Sequence, residues 1–594
     1  MSGNGGKCMI AATASGSGKT VITCGIIEAL KRRGLDVVSF KCGPDYIDPM
    51  FHRTVLGIES LNLDTYLAGI DGVKKLVYKT LSDLPGKKHA VIEGVMGIYD
   101  GISPKSFEGS CYEIAAVTNT PIILVVDASG VGRSIISIVK GILADDEKGL
   151  IKGIIFNRMS DVFYEKCYPY FCDELKNTSF DVRILGNIPK TDGISLASRH
   201  LGLTLPDETE DLKDRIGKIA DIIEEKLDVS AMLDVMEKDM PFFCDNAKNA
   251  SEEKTGKDDK AQICLAVARD EAFCFYYSEN IRLFEELGAE IIYFSPVHDR
   301  TVPDEADALL IGGGYPELYL KELSSNTSML ESVKNAIENG MPSLAECGGF
   351  MYLHDKICDL SGKEYKMAGV IDGTCTYSGH LVNFGYARII SAGAGDDGFL
   401  QALSGMRCHE FHYYDSSSSD GDVTLLKESS KKEYTGMIAG ADRLWGWPHL
   451  YYPSCPEAVR RFLKMAQNGN RLLRAGGRSD ATKRGFARRR DPQSGRIPCC
   501  GPAKQDNNPT SAQQAPRTLS SASFFSNKAC KYYPCHDCDE DINCLFCYCP
   551  LYGMDCPGDY KLTEKDGKQI KNCKDCVFPH IAENYKKVIK LLKQ

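Results

Sequence analysis

The residue whose setting most clearly implies chemistry is Cys347. Met341-Pro342-Ser343-Leu344-Ala345 leads into Glu346-Cys347-Gly348-Gly349-Phe350-Met351, which reads as a short strand, a tight turn and the start of a helix. That is the pattern of a nucleophile elbow, in which small residues let the backbone take a strained turn that lifts the thiol above a sheet. A helix N-terminus just beyond it favours thiolate over thiol. Upstream, the apolar run 306–311 closes in Gly312-Gly313-Gly314-Tyr315-Pro316-Glu317. Backbone N–H groups of Gly313, Gly314 and Gly348 are the candidate oxyanion donors. The chain has 25 cysteines, so a buried structural thiol is the competing reading. The glycine turn upstream is what favours the elbow.

A second centre lies at the N-terminus. Cys8–Ala12 reads as a buried strand, followed by Thr13-Ala14-Ser15-Gly16-Ser17-Gly18-Lys19-Thr20 and a helix from Val21 to Arg33. Strand, glycine-rich loop, Lys-Thr and helix is the context of a phosphate loop, although Thr13 stands where the first glycine is usual. Gly16 and Gly18 let the backbone cradle phosphates, Lys19 reaches the β/γ oxygens and Thr20 can ligate Mg²⁺. A second strand, Val37–Lys41, runs into Cys42-Gly43-Pro44-Asp45-Tyr46-Ile47-Asp48-Pro49. Asp45 and Asp48 there are either turn formers or ligands at the edge where open α/β sheets bind substrates. The apolar strand before Glu93 places a carboxylate where phosphate-loop enzymes meet Mg²⁺.

The elements needed to carry these residues set the architecture. Strands alternate with helices throughout residues 1–235, giving a doubly wound parallel sheet. Residues 236–261 lose periodicity and read as a solvated linker. A new α/β domain restarts at Ile263 and runs from 262 to 466. From Gln467 to Ala529 there are 12 Lys/Arg against 3 Asp/Glu, with no apolar face, so 467–527 reads as a basic disordered linker. A frame-shifted joint between two genes would look the same. The last 65 residues hold nine cysteines. Cys535/Cys538, Cys544/Cys547 and Cys573/Cys576 each have the two-residue spacing with which thiolates share one ion, so 528–594 reads as a metal-stapled module, with zinc favoured over an iron–sulfur cluster and the ligand pairing open. Net charge is −10, which argues against nucleic acid as a partner. No apolar run reaches the ~20 residues of a membrane span. The N-terminus enters a strand directly, and the protein is expected in the cytoplasm.

The Gly-Gly-Gly-Tyr-Pro-Glu turn with the Cys347 elbow resembles the glutamine amidotransferase domain of the cobyrinic acid a,c-diamide synthase and cobyric acid synthase group. The loops at 42–49 and 93–101, and Ser198-Arg199-His200-Leu201-Gly202-Leu203, are similar to signature stretches of the same group. The resemblance covers 1–466. It implies a P-loop, dethiobiotin-synthetase-like synthetase domain followed by a class I amidotransferase domain. It carries nucleotide and Mg²⁺ roles to Lys19, Thr20, Asp48 and Glu93, and carboxylate activation or substrate placement to Asp45 and Asp100. Asn157 would contact the base, though turn chemistry explains it nearly as well. Two histidine regions compete for the acyl-transfer partner, 409–414 and 445–452. Alignment with the group's final His-Leu-His stretch assigns the general base to His449, with Tyr451 where a second His is usual. A core-packed histidine is the alternative at both.

The implied reaction uses ATP to phosphorylate the a and c acetate carboxylates of cobyrinic acid, then ammonia from L-glutamine to displace phosphate. Hydrogenobyrinic acid and nickel-sirohydrochlorin are alternative macrocycles. A partitioning-type ATPase switch with a non-catalytic amidotransferase fold is the alternative of another class; the intact Cys347, Asp45 and Asp100 disfavour it. A cysteine-rich small domain is sometimes appended to corrinoid-pathway proteins, and a homodimer is an expected state.

Overall fold

The structure is a computed structural model that describes residues 5–82, 88–178, 180–191, 206–238, 263–392, 398–418 and 421–475, with shorter stretches between 557 and 592. The chain divides into two units, Met1–Ile497 and Pro498–Gln594.

The first unit opens with β1 (Lys7–Ala12), α1 (Lys19–Arg32), β2 (Asp36–Cys42), α2 (Ile47–Thr54), β3 (Ser60–Leu63), α3 (Gly69–Ser82) and β4 (Lys88–Glu93). It continues with α4 (Cys111–Val117), β5 (Ile122–Asp127), α5 (Ile135–Ala144), β6 (Ile151–Asn157), α6 (Asp161–Lys176), β7 (Arg183–Ile188), α7 (Pro206–Lys226) and α8 (Val229–Lys238). The strands form one seven-stranded sheet in the order β3-β2-β4-β1-β5-β6-β7, and each neighbouring pair is parallel. Both faces are covered. Met9 and Ala11 of β1 pack in one core with Val73, Ile114 and Phe171. Cys8, Ile10 and Ala12 pack in another with Ile26, Phe51 and Ile219. That two-sided burial is why these strands read as unbroken apolar runs rather than alternating ones. Strand order reverses around β1, so its C-terminal end, with those of β2 and β4, opens on the switch-point crevice.

The second α/β domain contains β8 (Ile263–Ala268), β9 (Phe273–Phe275), α9 (Ser278–Glu286), β10 (Ala289–Phe294), β11 (Ala308–Ile311), β12 (Gly313–Gly314), α10 (Leu320–Ser325), α11 (Thr327–Glu338), β13 (Ser343–Glu346) and α12 (Gly348–Leu353). Then follow β14 (His354–Cys358), β15 (Glu364–Lys366), β16 (Ile371–Tyr377), β17 (Asn383–Ala392), β18 (Arg407–His412) and β19 (Tyr414–Ser416). It ends with β20 (Val423–Lys427), β21 (Lys432–Gly436), β22 (Ile438–Gly440), β23 (Arg443–Gly446), β24 (His449–Tyr451) and α13 (Pro456–Ala475). Its central sheet runs β10-β8-β11-β13-β23-β22. A second sheet, β21-β20-β17-β18-β24, is antiparallel between neighbours and sets His449 directly opposite His409. Helix α13 continues to Ala475, past the expected boundary at 466. Its apolar face (Val459, Phe462, Leu463, Ala466) is buried in the core, which nucleates a helix that the basic residues beyond merely extend.

In the second unit the described residues include a hairpin of β25 (Lys561–Lys565) with β26 (Lys568–Asn572) and a helix α14 (Tyr585–Leu592). Cys576 is buried there. The zinc expectations at Cys535, Cys538, Cys544, Cys547 and Cys573, the stretch 198–203, most of the linker 236–261 and the basic segment beyond Ala475 lie outside the described residues.

Candidate functional site

At the end of β13 the backbone of Cys347 has φ 46° and ψ −101°, a conformation that costs an L-residue energy and is tolerated where the fold imposes it. The Cys347 N–H donates to Gly446 O (2.8 Å), so strand β23 pins the turn. Crowding explains the glycines. A Cβ on Gly348 would sit 3.1 Å from the Gly314 nitrogen, and one on Gly349 2.0 Å from Ile311 O. The elbow and the Gly313–Gly314 strand are therefore in backbone contact, bringing Gly313, Gly314 and Gly348 together. A Cβ on Gly313 would fall 2.3 Å from His449 Cε1, so the Cε1 edge of the imidazole closes on that glycine.

His449 is buried, and burial followed by His409 and His412 pushes its pKa down to about 3. It is a neutral imidazole at physiological pH, free to accept a proton. Its Nδ1 has no hydrogen-bond partner among the described residues. Tyr451, two residues on, is occupied packing on Tyr277 (ring centroids 5.6 Å apart). Burial, then Glu317, pushes the Cys347 thiol well up, although the Gly348 N–H donates to it. Burial thus works against the thiolate that the helix N-terminus favours, and α12 has only six residues. Glu346 is also buried; burial raises it to about 8, and Tyr452 Oη donates to its Oε1 (2.6 Å).

The N-terminal centre gathers at the ends of β1, β2 and β4. Gly18 caps α1 in the left-handed region (φ 86°). Lys19 Nζ donates to the carbonyls of Ala14 (3.2 Å) and Met96 (2.5 Å), which holds it across the loop. Thr20 Oγ1 donates to Glu93 Oε1 (2.6 Å). The same oxygen accepts from Lys41 Nζ (2.8 Å), which also meets Asp48 Oδ2 at 2.5 Å and Asp45 Oδ2 at 4.0 Å. Burial works against the Lys41 charge, yet Glu93, Asp48 and Asp45 hold its ammonium well above the usual range. Burial also opposes ionisation of Glu93, but Lys41 and His52 hold its carboxyl well below the usual range. Burial and then Glu93 push Asp48 up to about 8 in spite of Lys41. Asp45 Oδ1 accepts from the N–H groups of Ile47 and Asp48, capping α2, and Asp100 Oδ2 accepts from Gly97 N–H. The turn role read from sequence is therefore present at Asp45, which keeps its second oxygen toward Lys41, whereas Asp48 pairs with Lys41 instead. Asn157 Nδ2 donates to Ser17 O (2.8 Å), bracing the phosphate loop. Beside it, Arg158 donates to Gly16 O and pairs with Asp127, at the wall of an open cleft of about 280 Å³ lined also by Ala128, Gly130 and Phe163. Lys41 went unrecognised in the sequence; its signal is a lysine ending an otherwise apolar strand one residue before Cys-Gly-Pro-Asp.

Hard oxygen donors at Thr20, Asp48 and Glu93 fit Mg²⁺. Among the described residues no group of three or more His, Cys, Asp and Glu side chains is set to hold a metal by itself.

A phosphate loop on a doubly wound sheet, joined to a strained-cysteine elbow with a neutral histidine, defines a nucleotide-binding glutamine amidotransferase. Residues 8–203 match the CobQ/CobB/MinD/ParA nucleotide binding domain, 264–448 the CobB/CobQ-like glutamine amidotransferase domain and 521–594 a cysteine-rich small domain. The chain is 36% identical over 457 residues to the cobyrinate a,c-diamide synthase of Caldanaerobacter subterraneus subsp. tengcongensis, covering 77% of this chain and 97% of that one. It is 35% identical to that of Listeria innocua (76% and 98%) and 35% identical to that of Picrophilus torridus (77% and 98%). The chain belongs to the cobyrinate a,c-diamide synthase family, and it is a glutamine-dependent, amide-forming ligase of cobalamin biosynthesis. No described helix is long and apolar enough to cross a membrane.

Proposed function

We propose that the protein converts the a and c acetate side chains of cobyrinic acid to amides, using ATP, Mg²⁺ and L-glutamine. The observation that carries the reading is that a strained Cys347 elbow, whose Gly348 packs against the Gly313–Gly314 strand that the buried His449 also abuts, shares one compact unit with the Lys19–Lys41–Glu93 cluster. In the glutaminase half, His449 takes the Cys347 proton as sulfur attacks the glutamine amide carbon. The backbone N–H groups of Gly313, Gly314 and Gly348 receive the oxyanion, and His449 returns the proton to departing ammonia. Water then cleaves the thioester to glutamate. In the synthetase half, a substrate carboxylate oxygen attacks the γ-phosphorus of ATP and ADP leaves. Ammonia attacks the acyl phosphate carbon and phosphate departs. Lys19 and Lys41 offset charge on the phosphates, Asn157 braces the nucleotide loop, and Asp45 and Asp100 place the substrate. Thr20, Asp48 and Glu93 would hold Mg²⁺, whose chemistry is to neutralise the phosphate oxygens. Six terminal cysteines (535, 538, 544, 547, 573 and 576) would hold Zn²⁺, a role supported by their paired spacing.

The test is incubation of the full chain with ATP, Mg²⁺, glutamine and each of cobyrinic acid, hydrogenobyrinic acid and nickel-sirohydrochlorin, with mass spectrometry of products. Mono- and diamide from cobyrinic acid, in preference to the other two, is the expected result. Preferential turnover of either rival macrocycle would reassign the substrate.

A further inference from the structure

Tyr46 belongs to the nucleotide-binding domain by sequence, yet its ring lies in the glutaminase site. It stacks on Phe275 (centroids 5.1 Å apart, planes 10° apart), packs on Tyr277 at 4.6 Å and lies 5.1 Å from the His449 ring. Its backbone belongs to the other centre. Tyr46 caps the N-terminus of α2, held by the Asp45 carboxylate on one side and followed by Asp48, whose oxygen meets Lys41. Asn62 ties the same turn down by donating to Gly43 O (2.9 Å) and Asp45 O (2.6 Å). The Asn62 N–H in turn donates to the buried Glu279 of α9 (3.0 Å). One four-residue segment therefore presents carboxylates to the nucleotide cluster and an aromatic ring to the glutaminase base.

We propose that Tyr46 is a positioning residue through which occupancy of the nucleotide site controls glutamine hydrolysis at Cys347 and His449. The inference rests on the function proposed above and adds a regulatory contact to it. His449 has no hydrogen bond at Nδ1 among the described residues, so packing sets its ring plane. Gly313 lies on one side of it and Tyr46 on another. A ligand that draws Asp48 off Lys41 displaces the first turn of α2 and with it the Tyr46 ring. Because an imidazole misplaced by about 1 Å loses on the order of 100-fold in rate, a small shift of Tyr46 suffices to switch the base between idle and productive positions. The arrangement limits ammonia release to times when an acyl phosphate can form.

The experiment measures glutamate release by the full-length protein, with and without ATP, Mg²⁺ and acceptor acid, for wild type, Tyr46→Phe, Tyr46→Leu and Phe275→Leu. The ratio of the two rates is the readout, because a merely structural defect lowers both. Wild type and Tyr46→Phe, which keeps the ring, should be stimulated by about 5-fold or more. Tyr46→Leu should fall to a ratio near one. Phe275→Leu loosens the ring from the opposite side and should lower the ratio too, so the idea remains testable if Tyr46→Leu does not fold. A wild-type ratio of one, or full stimulation in either leucine variant, overturns the proposal. Ammonia-dependent synthesis by wild type is the separate control. Its failure would sink the ligase reading, whereas the Tyr46 contact is judged from glutamate release alone.

Discussion

Gly313→Ala is the most exacting test of the glutaminase geometry. Gly313 does not have a positive φ, so alanine meets no backbone strain there and the effect is purely one of space. The added methyl would stand 2.3 Å from His449 Cε1 and 3.0 Å from Nδ1. Ordinary carbon–carbon contact begins near 3.4 Å, so the imidazole must retreat by about 1.1 Å. A displacement of that size costs a general base on the order of 100-fold, or about 2.7 kcal/mol of transition-state stabilisation. Two steady-state assays read it: amide formation from glutamine, expected to fall about 100-fold, and amide formation from ammonium salts, expected to stay within about twofold. Cys347→Ser is the comparator and should abolish the first while sparing the second. Wild-type glutamine-dependent turnover in Gly313→Ala would refute His449 as the base. Equal loss with both nitrogen sources would refute the separation of the two half-reactions.

Three further outcomes follow from the same structure. Lys41→Met leaves Glu93 and Asp48 buried without their shared cation; it should cost about 3 kcal/mol or more in chemical unfolding and abolish synthesis from both nitrogen donors. His449 is held near pKa 3, below its unfolded value of about 6.5, so the unfolded chain binds the extra proton. Its contribution is full above pH 6.5 and is lost as pH falls toward 3, and wild type should therefore lose more thermal stability than His449→Gln between pH 7.5 and 4.5. Parallel curves would contradict the buried neutral imidazole. A chain ended after Ala475 should keep synthesis while losing all bound zinc by metal analysis; zinc retained by it would place the metal elsewhere.

Local chemistry made much of this protein legible. The phosphate loop, the elbow and the strands β1, β2, β4 and β8 could be read because their signals are short-range: glycines at fixed offsets, apolar runs bounded by turns, a helix beginning after Lys-Thr. Lys41 was missed because a lysine closing an apolar strand looks like an exposed edge until three carboxylates from separate segments converge on it. The antiparallel sheet from β17 to β24 was also unread.

The amino-acid sequence by itself determined which residues could do chemistry and the order of the two α/β domains. Tertiary structure alone decided their states and their neighbours. Cys347 carries its helix N-terminus in sequence, but burial and Glu317, which the fold alone supplies, push its thiol up. His449 carries no mark of its pKa; enclosure beside His409 and His412 makes it a neutral base. Tyr46 reads as a turn residue of the first domain, and only the packing of one domain on the other puts its ring against His449. The reason is common to all three: desolvation and contact depend on atoms from other elements of the fold, tens to hundreds of residues away, which no local pattern encodes.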